Sequence, residues 1–250
     1  MRNEEQEIQF KYLINCAVLL SCGAEKILVD GIFSGRQPFD IMDSQLEEAI
    51  LTGEGDFAGI KYVLVTHCHN DHYNGSKLLK FLKYHPGTTV FLPANAKLDH
   101  DKLEGLQARI IRMDGLLGQL NRVNFGSFQI EYMCTGHLTY RYPQHYCLNL
   151  IAEHANVLVT ADMNLDCMNF LKDFTKKEES WIFANAIVLW HRKWRQQLLD
   201  LNFSRIWLYH VASEERDILG YRKKTMVHWK KHRNDVLNWV MLGEEKDEIY

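Results

Sequence analysis

The sequence between residues 66 and 75 reads Thr66-His67-Cys68-His69-Asn70-Asp71-His72-Tyr73-Asn74-Gly75. It follows an apolar run, residues 61–66, that is typical of a strand covered on both faces. It precedes a stretch that predicts a helix, with Asn74 as the residue that caps the helix. The segment is therefore expected to lie in a loop at the carboxyl end of a buried strand, where open α/β sheets commonly bind their ligands.

The residue types and the spacing in this segment indicate a metal site. His67 and His69 are two residues apart, so both can project to one side of a locally extended backbone. Asp71 and His72 follow where the chain bends into the helix, and they can reach a second position close by. Imidazole and carboxylate together suit zinc, iron or manganese. The alternative is a run of surface histidines or hydrogen-bonded core histidines, but this register would arise by chance in only about one chain in several hundred.

The same segment resembles the H-x-H-x-D-H motif of the metallo-β-lactamase superfamily, and further landmarks of that family follow its order along the chain. Each of them stands at the end of a segment that the sequence predicts to be a strand. They are Asp30 in Ile-Leu-Val-Asp-Gly, His137 in Cys-Thr-Gly-His-Leu, Asp162 in Leu-Val-Thr-Ala-Asp and His210 in Trp-Leu-Tyr-His. The resemblance implies an α/β fold, a four-layer αββα sandwich.

The resemblance also implies how seven side chains would hold two divalent metal ions, zinc in the first place, with iron or manganese as alternatives. The first ion would take His67, His69 and His137, the second ion Asp71, His72 and His210, and the bridge between them Asp162. Asp71 and Asp162 would serve catalysis together with a hydroxide that bridges the ions, because metal binding lowers the pKa of water from 15.7 to about 7. Asp30 would fix the histidine loop through hydrogen bonds rather than bind metal.

Other residues near the expected ligands have less certain roles. Tyr140, His145 and Tyr209 are candidates for the proton donor to the leaving group, although a packing or supporting role is favoured for each. Cys68 stands between two ligands but should point away from them, so it is expected to be dispensable for metal binding.

The wider pattern consists of strand-like and helix-like stretches in alternation, which favours a layered α/β architecture. No repeat, low-complexity segment or linker interrupts it, so residues 1–250 are interpreted as one domain. The pattern predicts, in chain order, two strands within residues 9–30, a helix over residues 43–52, a helical stretch after residue 92, a helix over residues 181–201, a strand over residues 205–209 and a last helix over residues 225–242.

The composition is typical of a globular chain with a balanced charge. Of 250 residues, 46% are hydrophobic and 24% are charged, and the formal net charge is −3, so no global positive field would attract nucleic acid or anionic lipid. There is no export signal and no apolar run of about 18 residues, so neither secretion nor a membrane span is expected. The six cysteines include no C-x-x-C pair and are interpreted as reduced thiols. These features predict a cytoplasmic protein.

The function that the resemblance implies is metal-dependent hydrolysis of an ester, lactone or phosphoester bond in a small anionic molecule. Antibiotic hydrolysis is disfavoured, because enzymes of that kind lack the bridging aspartate that Asp162 would supply. Flavodiiron oxidoreductases carry Glu at the position of His69, which disfavours oxygen reduction. A mononuclear iron dioxygenase of the same fold and a catalytically inactive metal-binding scaffold are the alternatives that stay open.

A further alternative is a phosphodiesterase or nuclease that acts on nucleic acid. Residues 221–233 are strongly basic and contain Trp229, and clustered Lys and Arg beside an aromatic ring can hold phosphates and stack a base. Glu214, Glu215 and the acidic residues 244–248 offset this charge, so a solvated basic helix face is favoured. The expected partner is accordingly a small-molecule substrate rather than nucleic acid.

Overall fold

The computed structural model describes residues 8–99, 110–126, 128–139, 144–234 and 238–243. In this part of the chain, two sheets are present, and strands that are neighbours in a sheet are also neighbours in the sequence. The first sheet contains β1–β6, which are Ile8–Ile14, Ala17–Cys22, Glu25–Val29, Ile60–Leu64, Thr89–Pro93 and Ile110–Met113. The second sheet contains β7–β13, which are Leu120–Phe125, Phe128–Cys134, Tyr146–Ile151, Ala155–Val159, Glu179–Asn185, Arg205–Tyr209 and Trp239–Met241.

Helices cover the outer face of each sheet, which produces four layers. Beside the first sheet lie α1, Ser44–Thr52, and α2, Gly75–Tyr84, and beside the second sheet lie α3, Arg192–Asp200, and α4, Tyr221–His232. The alternation along β4 shows how the layers form: Tyr62 and Leu64 pack between the two sheets, whereas Val63 and Val65 pack in the cluster that contains α1 and α2. The α/β class and the αββα sandwich expected from the sequence are confirmed.

Capping residues define the ends of the two helices on the first sheet. The side chain of Asp43 accepts hydrogen bonds from the backbone N–H groups of Gln45 and Leu46 at the start of α1, and Gly53 ends this helix with a φ of 79°. The side chain of Asn74 accepts from the backbone N–H of Lys77 at the start of α2. Because these signals are local in the sequence, both helices were predictable, and both predictions are confirmed.

The N-terminal hairpin contains one strand more than the sequence predicts. Residues 9–30 were expected to form two strands, but the structure has three, β1, β2 and β3, with antiparallel pairing throughout. The additional turn lies at Asn15, which has a φ of 52°. A single Asn in the left-handed region suffices to reverse the chain, and it interrupts the apolar pattern too briefly to be recognised.

The prediction of one helix over residues 181–201 is wrong for its first part. Residues 179–185 form β11, which pairs in parallel with β10 on one side and β12 on the other. A strand between two parallel partners is apolar on both faces, so over a short length it cannot be told from a buried helix. Only the later residues are helical, as the 3-10 helix Ala186–Trp190 and α3.

The last helix is also shorter than expected, and one strand was not foreseen. α4 ends at His232, and residues 239–241, which were assigned to the helix, form β13 instead. β7 had no predicted counterpart, because its exposed polar residues weaken the apolar alternation. The helical stretch expected after residue 92 falls mostly on residues 100–109, outside the described residues.

A polar network on the second sheet is centred on one buried carboxylate. Glu131 is fully buried, and its carboxylate accepts hydrogen bonds from Arg122 Nε at 2.8 Å, Asn149 Nδ2 at 2.9 Å and the backbone N–H and hydroxyl of Thr175 at 2.8 and 2.7 Å. Burial raises the pKa of Glu131, but these hydrogen bonds outweigh burial and place the pKa below its usual value. The carboxylate is therefore held ionised, and it fixes the segment around Thr175 to the sheet.

Among the described residues, no helix combines the length and the apolar composition that crossing a bilayer requires.

Candidate metal centre

The carboxyl ends of five strands meet at one edge of the molecule. β3 and β4 are parallel neighbours in the first sheet, and β8, β10 and β12 run in the same direction in the second. Each of these ends carries one or more of the residues singled out from the sequence. They are Asp30 after β3, His67, His69, Asp71 and His72 after β4, His137 after β8, Asp162 after β10 and His210 after β12. All eight side chains are buried, and the structure brings them together.

The first group of donor atoms consists of three histidines and one carboxylate. His67 Nε2 lies 3.0 Å from His69 Nδ1, and His137 Nε2 lies 3.2 Å from Asp162 Oδ2. The distance from His67 Nε2 to the same oxygen is 3.8 Å. One donor atom from each of these residues lies within 4.8 Å of every other, which is the geometry of side chains around one cation.

The second group lies directly beside the first and shares its aspartate. His72 Nε2 and His210 Nε2 are 3.1 Å apart, and His210 Nε2 is 3.3 Å from Asp162 Oδ1. Asp71 Oδ2 lies 3.7 Å from each of these two ring nitrogens. The nearest histidine to Asp162 Oδ1 belongs to the second group and the nearest histidine to Oδ2 belongs to the first, so this carboxylate lies between two candidate cation positions.

The donor set fits divalent cations better than it fits hydrogen bonding. Asp71 Oδ1 is buried and accepts no hydrogen bond from any described residue, which is costly for a carboxylate unless a cation satisfies it. His72 Nε2 and His210 Nε2 face one another at hydrogen-bond distance, and the two nitrogens can share only one proton. Imidazole nitrogens and carboxylate oxygens that converge in this way are ligands of zinc and of iron.

Asp30 orients one histidine in each group. Its carboxylate accepts hydrogen bonds from the Thr66 backbone N–H at 2.8 Å, from the Thr66 hydroxyl at 2.6 Å and from His72 Nδ1 at 2.8 Å. Because the Thr66 hydroxyl donates to Asp30, its oxygen is left to accept from His67 Nδ1, 3.1 Å away. Both histidines are thereby held with the proton on Nδ1 and with Nε2 turned to the centre, which is how carboxylates commonly orient metal-binding histidines.

Three of the strand ends are in a backbone conformation that L-residues seldom adopt. The φ angles are 48° at Asp30, 37° at Ala161 and 64° at His210. Each such residue costs on the order of 1 kcal/mol, so the surrounding structure has to hold it in place. At His210 the backbone N–H donates to the carbonyl of Asn15 at 3.1 Å, which ties this strand end to the first sheet.

The protonation states of the centre follow from burial and from neighbouring charges. Burial and nearby positive charges lower the pKa of His69 to about 4, so this imidazole is neutral at physiological pH. Burial disfavours the ionised form of Asp162, but the charge of His210, the hydrogen bond from His137 and the charges of the other histidines together outweigh burial and hold the pKa well below its usual range. Burial lowers the pKa of His72, whereas the charge and hydrogen bond of Asp30 raise it to about 9. A cation that binds at His72 therefore displaces a proton.

A cavity of about 280 Å³ opens above the two groups. His69, Asp71, His137, Asp162 and His210 line its floor. Phe39, Trp190 and Tyr221 line its walls, and Arg36 and Arg222 contribute positive charge. A floor of metal-binding groups under an apolar wall with two guanidinium groups suits a small molecule that is partly apolar and partly anionic.

Sequence reasoning missed two residues at the centre. The side chain of Asn185 donates to Asp162 Oδ1 at 2.8 Å, and Cys16 lies beside the second group. Asn185 is the last residue of β11, which lies largely in a segment that the sequence assigned to a helix. Cys16 lies at the turn between β1 and β2 that the sequence did not reveal. Neither residue belongs to a motif, so both could be identified only from the folded structure.

The candidates for a proton donor occupy different places. Tyr209 is fully buried, and its hydroxyl oxygen accepts the backbone N–H of Ala161 at 3.0 Å. His145 is also fully buried, with its ring centroid 5.2 Å from that of His67. Tyr140 lies outside the described residues. The thiol of Cys68 donates to the side-chain oxygen of Asn95 at 3.4 Å.

The whole chain was compared with solved structures, and several align with it over most of its length. Igni18, a metallo hydrolase from Ignicoccus hospitalis, aligns with a TM-score of 0.61 at 13% identity, covering 97% of this chain and 97% of its own. The metallo-β-lactamase fold protein YhfI from Bacillus subtilis aligns with a TM-score of 0.60 at 12% identity, covering 98% of this chain and 99% of its own. CmlA from Streptomyces venezuelae, a diiron β-hydroxylase, aligns with a TM-score of 0.56 at 14% identity over 94% of this chain, which spans about half of CmlA, 52% of its length.

No protein-family model matches the chain, and no curated protein matches its sequence. Identities between 12% and 14% carry information about the fold alone. The two sheets with outer helices, and the alignment of nearly the whole chain with YhfI, agree on that fold. This chain has the metallo-β-lactamase fold.

Proposed function

We propose that this chain is a dinuclear metal-dependent hydrolase that cleaves an ester, lactone or phosphoester bond in a small anionic molecule. The observation that carries the proposal is the pair of buried donor groups that share Asp162 at the floor of an open cavity. Structures with the same fold from Parabacteroides distasonis and Ignicoccus hospitalis are described as a putative metal-dependent hydrolase and a metallo hydrolase, which supports the same reaction class here.

When bound, a pair of divalent ions would supply a nucleophile at neutral pH by lowering the pKa of water, and would polarise the bond to be cleaved. The protein's own contribution is to hold the ligand side chains in the protonation state and orientation that metal binding requires. Asp162 stays ionised, and Asn185 fixes one of its oxygens through a hydrogen bond of 2.8 Å. Asp30 and Thr66 keep the Nδ1 atoms of His67 and His72 protonated. Such fixed donors need no rearrangement during the reaction.

The preference for an anionic substrate rests on the two arginines of the cavity. Arg222 is half-buried, and its Nη1 donates to the carbonyl of Ala212 at 3.1 Å, which holds the guanidinium near the cavity. Arg36 lies near enough to lower the pKa of His69 by its charge. Together they would attract a phosphate or carboxylate group, while Trp190 and Tyr221 would contact the apolar part of the molecule.

The basic helix α4 supports a small substrate better than nucleic acid. Trp229, the aromatic residue within the basic segment, is 8% exposed and packs in the core of the second sheet and its helices. It therefore has no free face on which a base could stack. Lys223, Lys224 and Lys230 remain as an exposed basic surface.

An oxidative reaction at iron is the second candidate, because CmlA, with the same fold, is a diiron β-hydroxylase. Metal analysis and oxygen consumption separate the two. A hydrolase would retain activity with zinc and would consume no oxygen, whereas an oxygenase would require iron.

The proposal is tested by metal analysis and by a panel of chromogenic substrates: a phosphodiester, a phosphomonoester, a lactone, a thioester and a β-lactam. We expect about two metal ions per chain in protein purified without chelator. Cleavage of one of the anionic or lactone substrates is expected, and activity that salt weakens would point to a phosphodiester on nucleic acid.

Variants of the centre provide the stricter test. Asp162→Ala and His69→Ala should each abolish hydrolysis and leave a folded protein, because each removes a donor from the floor of the cavity. Asp56→Ala and His154→Ala are matched controls, since both side chains are exposed, and they should keep full activity. Hydrolysis that persists in both centre variants, or a protein without metal, would refute the proposal.

A further inference from the structure

Cys16 lies at the second group of donor atoms, although no sequence motif includes it. It directly precedes β2 and is fully buried. The preceding carbonyl, that of Asn15, accepts the backbone N–H of His210, so the turn and this strand end are fixed to one another. The sulfur and one donor atom each from His72, Asp162 and His210 all lie within 4.8 Å of one another.

A buried cysteine usually acts as a small apolar residue, but the surroundings of Cys16 are polar on one side. The Tyr209 hydroxyl lies beside the sulfur, where it acts to lower the pKa of the thiol against the larger effect of burial, while its oxygen accepts the backbone N–H of Ala161 at 3.0 Å. A donor directed at a sulfur stabilises the thiolate form, as hydrogen bonds around metal-bound cysteines commonly do. Tyr209 thus connects Cys16 with the residue that precedes Asp162.

The charge of the centre also favours a thiolate. Asp71 and Asp162 together offset only half of the positive charge of two divalent cations, in a place that water hardly reaches. Without a cation, burial raises the pKa of the Cys16 thiol and keeps it neutral. A bound cation reverses this preference, since it deprotonates a coordinating thiol outright.

We propose that Cys16 is a thiolate ligand of the second metal position, beside His72 and His210. Binding transfers the thiol proton to solvent and forms one sulfur–metal bond. Because thiolates are soft ligands, this position would prefer zinc, cobalt or cadmium to magnesium or manganese. The inference rests on the proposed function only in that the centre binds two cations.

Cobalt(II) provides a test that does not depend on turnover. The wild-type protein loaded with two cobalt ions should show a thiolate-to-cobalt charge-transfer band in the near ultraviolet. Cys16→Ser and Cys16→Ala should lose this band and bind cadmium at least about tenfold more weakly. Cys68→Ser is the matched control. Cys68 lies between two of the histidines in sequence, but its thiol donates a hydrogen bond to Asn95, so this variant should keep the band.

X-ray absorption of the wild-type zinc protein needs no variant and covers the case in which the Cys16 variants do not fold. One sulfur ligand for every two zinc ions is expected. Two bound cobalt ions without the band, a band that survives in Cys16→Ser, or a zinc shell without sulfur would overturn the role of Cys16 and leave the dinuclear centre intact. Protein that binds neither cobalt nor zinc would instead refute the proposed function, and Cys16 with it.

Discussion

Replacing Asp30 by Asn tests how far one buried carboxylate controls the whole centre. The carboxylate accepts three hydrogen bonds, two from Thr66 and one from His72. The amide of Asn can still accept from the Thr66 backbone, but its NH₂ group would face the donors that Oδ2 now satisfies. The left-handed φ of 48° is one that Asn also tolerates, so the backbone is not a confounding factor.

The expected effect follows from what Asp30 does to the two histidines. Without the carboxylate, His72 loses the partner that holds its proton on Nδ1, and the link through Thr66 to His67 is lost as well. Changes in residues that orient metal-binding histidines typically weaken metal binding about 10- to 100-fold, which corresponds to about 1.4–2.8 kcal/mol. The metal-free protein should also be less stable, by about 1.5–3 kcal/mol for the lost hydrogen bond to a charged group.

Competition for zinc with a chromogenic chelator measures the affinity, and denaturant unfolding of the metal-free protein measures the stability. Asp56→Asn is the control, because this exposed aspartate pairs with Lys11 at the surface. If Asp30→Asn binds zinc within twofold of the wild-type affinity, the carboxylate does not orient the ligands and the reasoning fails.

Three further outcomes are expected. Glu131→Gln should destabilise the protein by about 2 kcal/mol at pH 7. Burial raises the pKa of Glu131, but its hydrogen bonds outweigh burial and lower the pKa in the folded state. The stabilisation is therefore present above the unfolded pKa of about 4.3 and is lost as pH falls through the folded value. A difference in unfolding free energy between the variant and the wild type that stays constant from pH 7 to pH 3 would contradict this. Asp40→Ala should raise KM severalfold without changing metal content, because Asp40 anchors the loop carrying Phe39 through hydrogen bonds of 2.9 and 2.6 Å to Ser213; an unchanged KM would count against this anchor. Cys68→Ala should keep the full metal content in elemental analysis, and loss of metal would contradict its position facing Asn95.

The residues after β4 could be recognised from the sequence because their signals are local. A buried strand, four closely spaced polar residues and a capping Asn74 stand within one short stretch, and each signal has its own physical cause. The more distant members, such as His137 and Asp162, were identified through the resemblance to the metallo-β-lactamase superfamily, and each follows a segment that the sequence predicts to be a strand. Their convergence follows from the common direction of the strands, which becomes evident once the strands are placed.

Features that depend on tertiary pairing could not be predicted from the sequence. Residues 181–185 read as a helix because a strand with parallel partners on both sides has no polar face. Trp229 looked available to a base, since periodicity does not say which side of α4 the core covers. Cys16 is the strongest case, because its position among the donor atoms is set by a turn at Asn15 and by the docking of one sheet on the other.

The donor atoms come from both sheets, four residues following β4 and three following strands of the second sheet. Cations shared between them would therefore fasten the two halves of the molecule to each other. A ligand that binds only the folded form at a hundred times its dissociation constant adds about 2.7 kcal/mol of stability, a large fraction of what a domain possesses. A cell short of the metal would then hold less of this protein as well as a less active one, because degradation follows the unfolded fraction. The supply of the metal would thereby influence how much of the protein the cell contains.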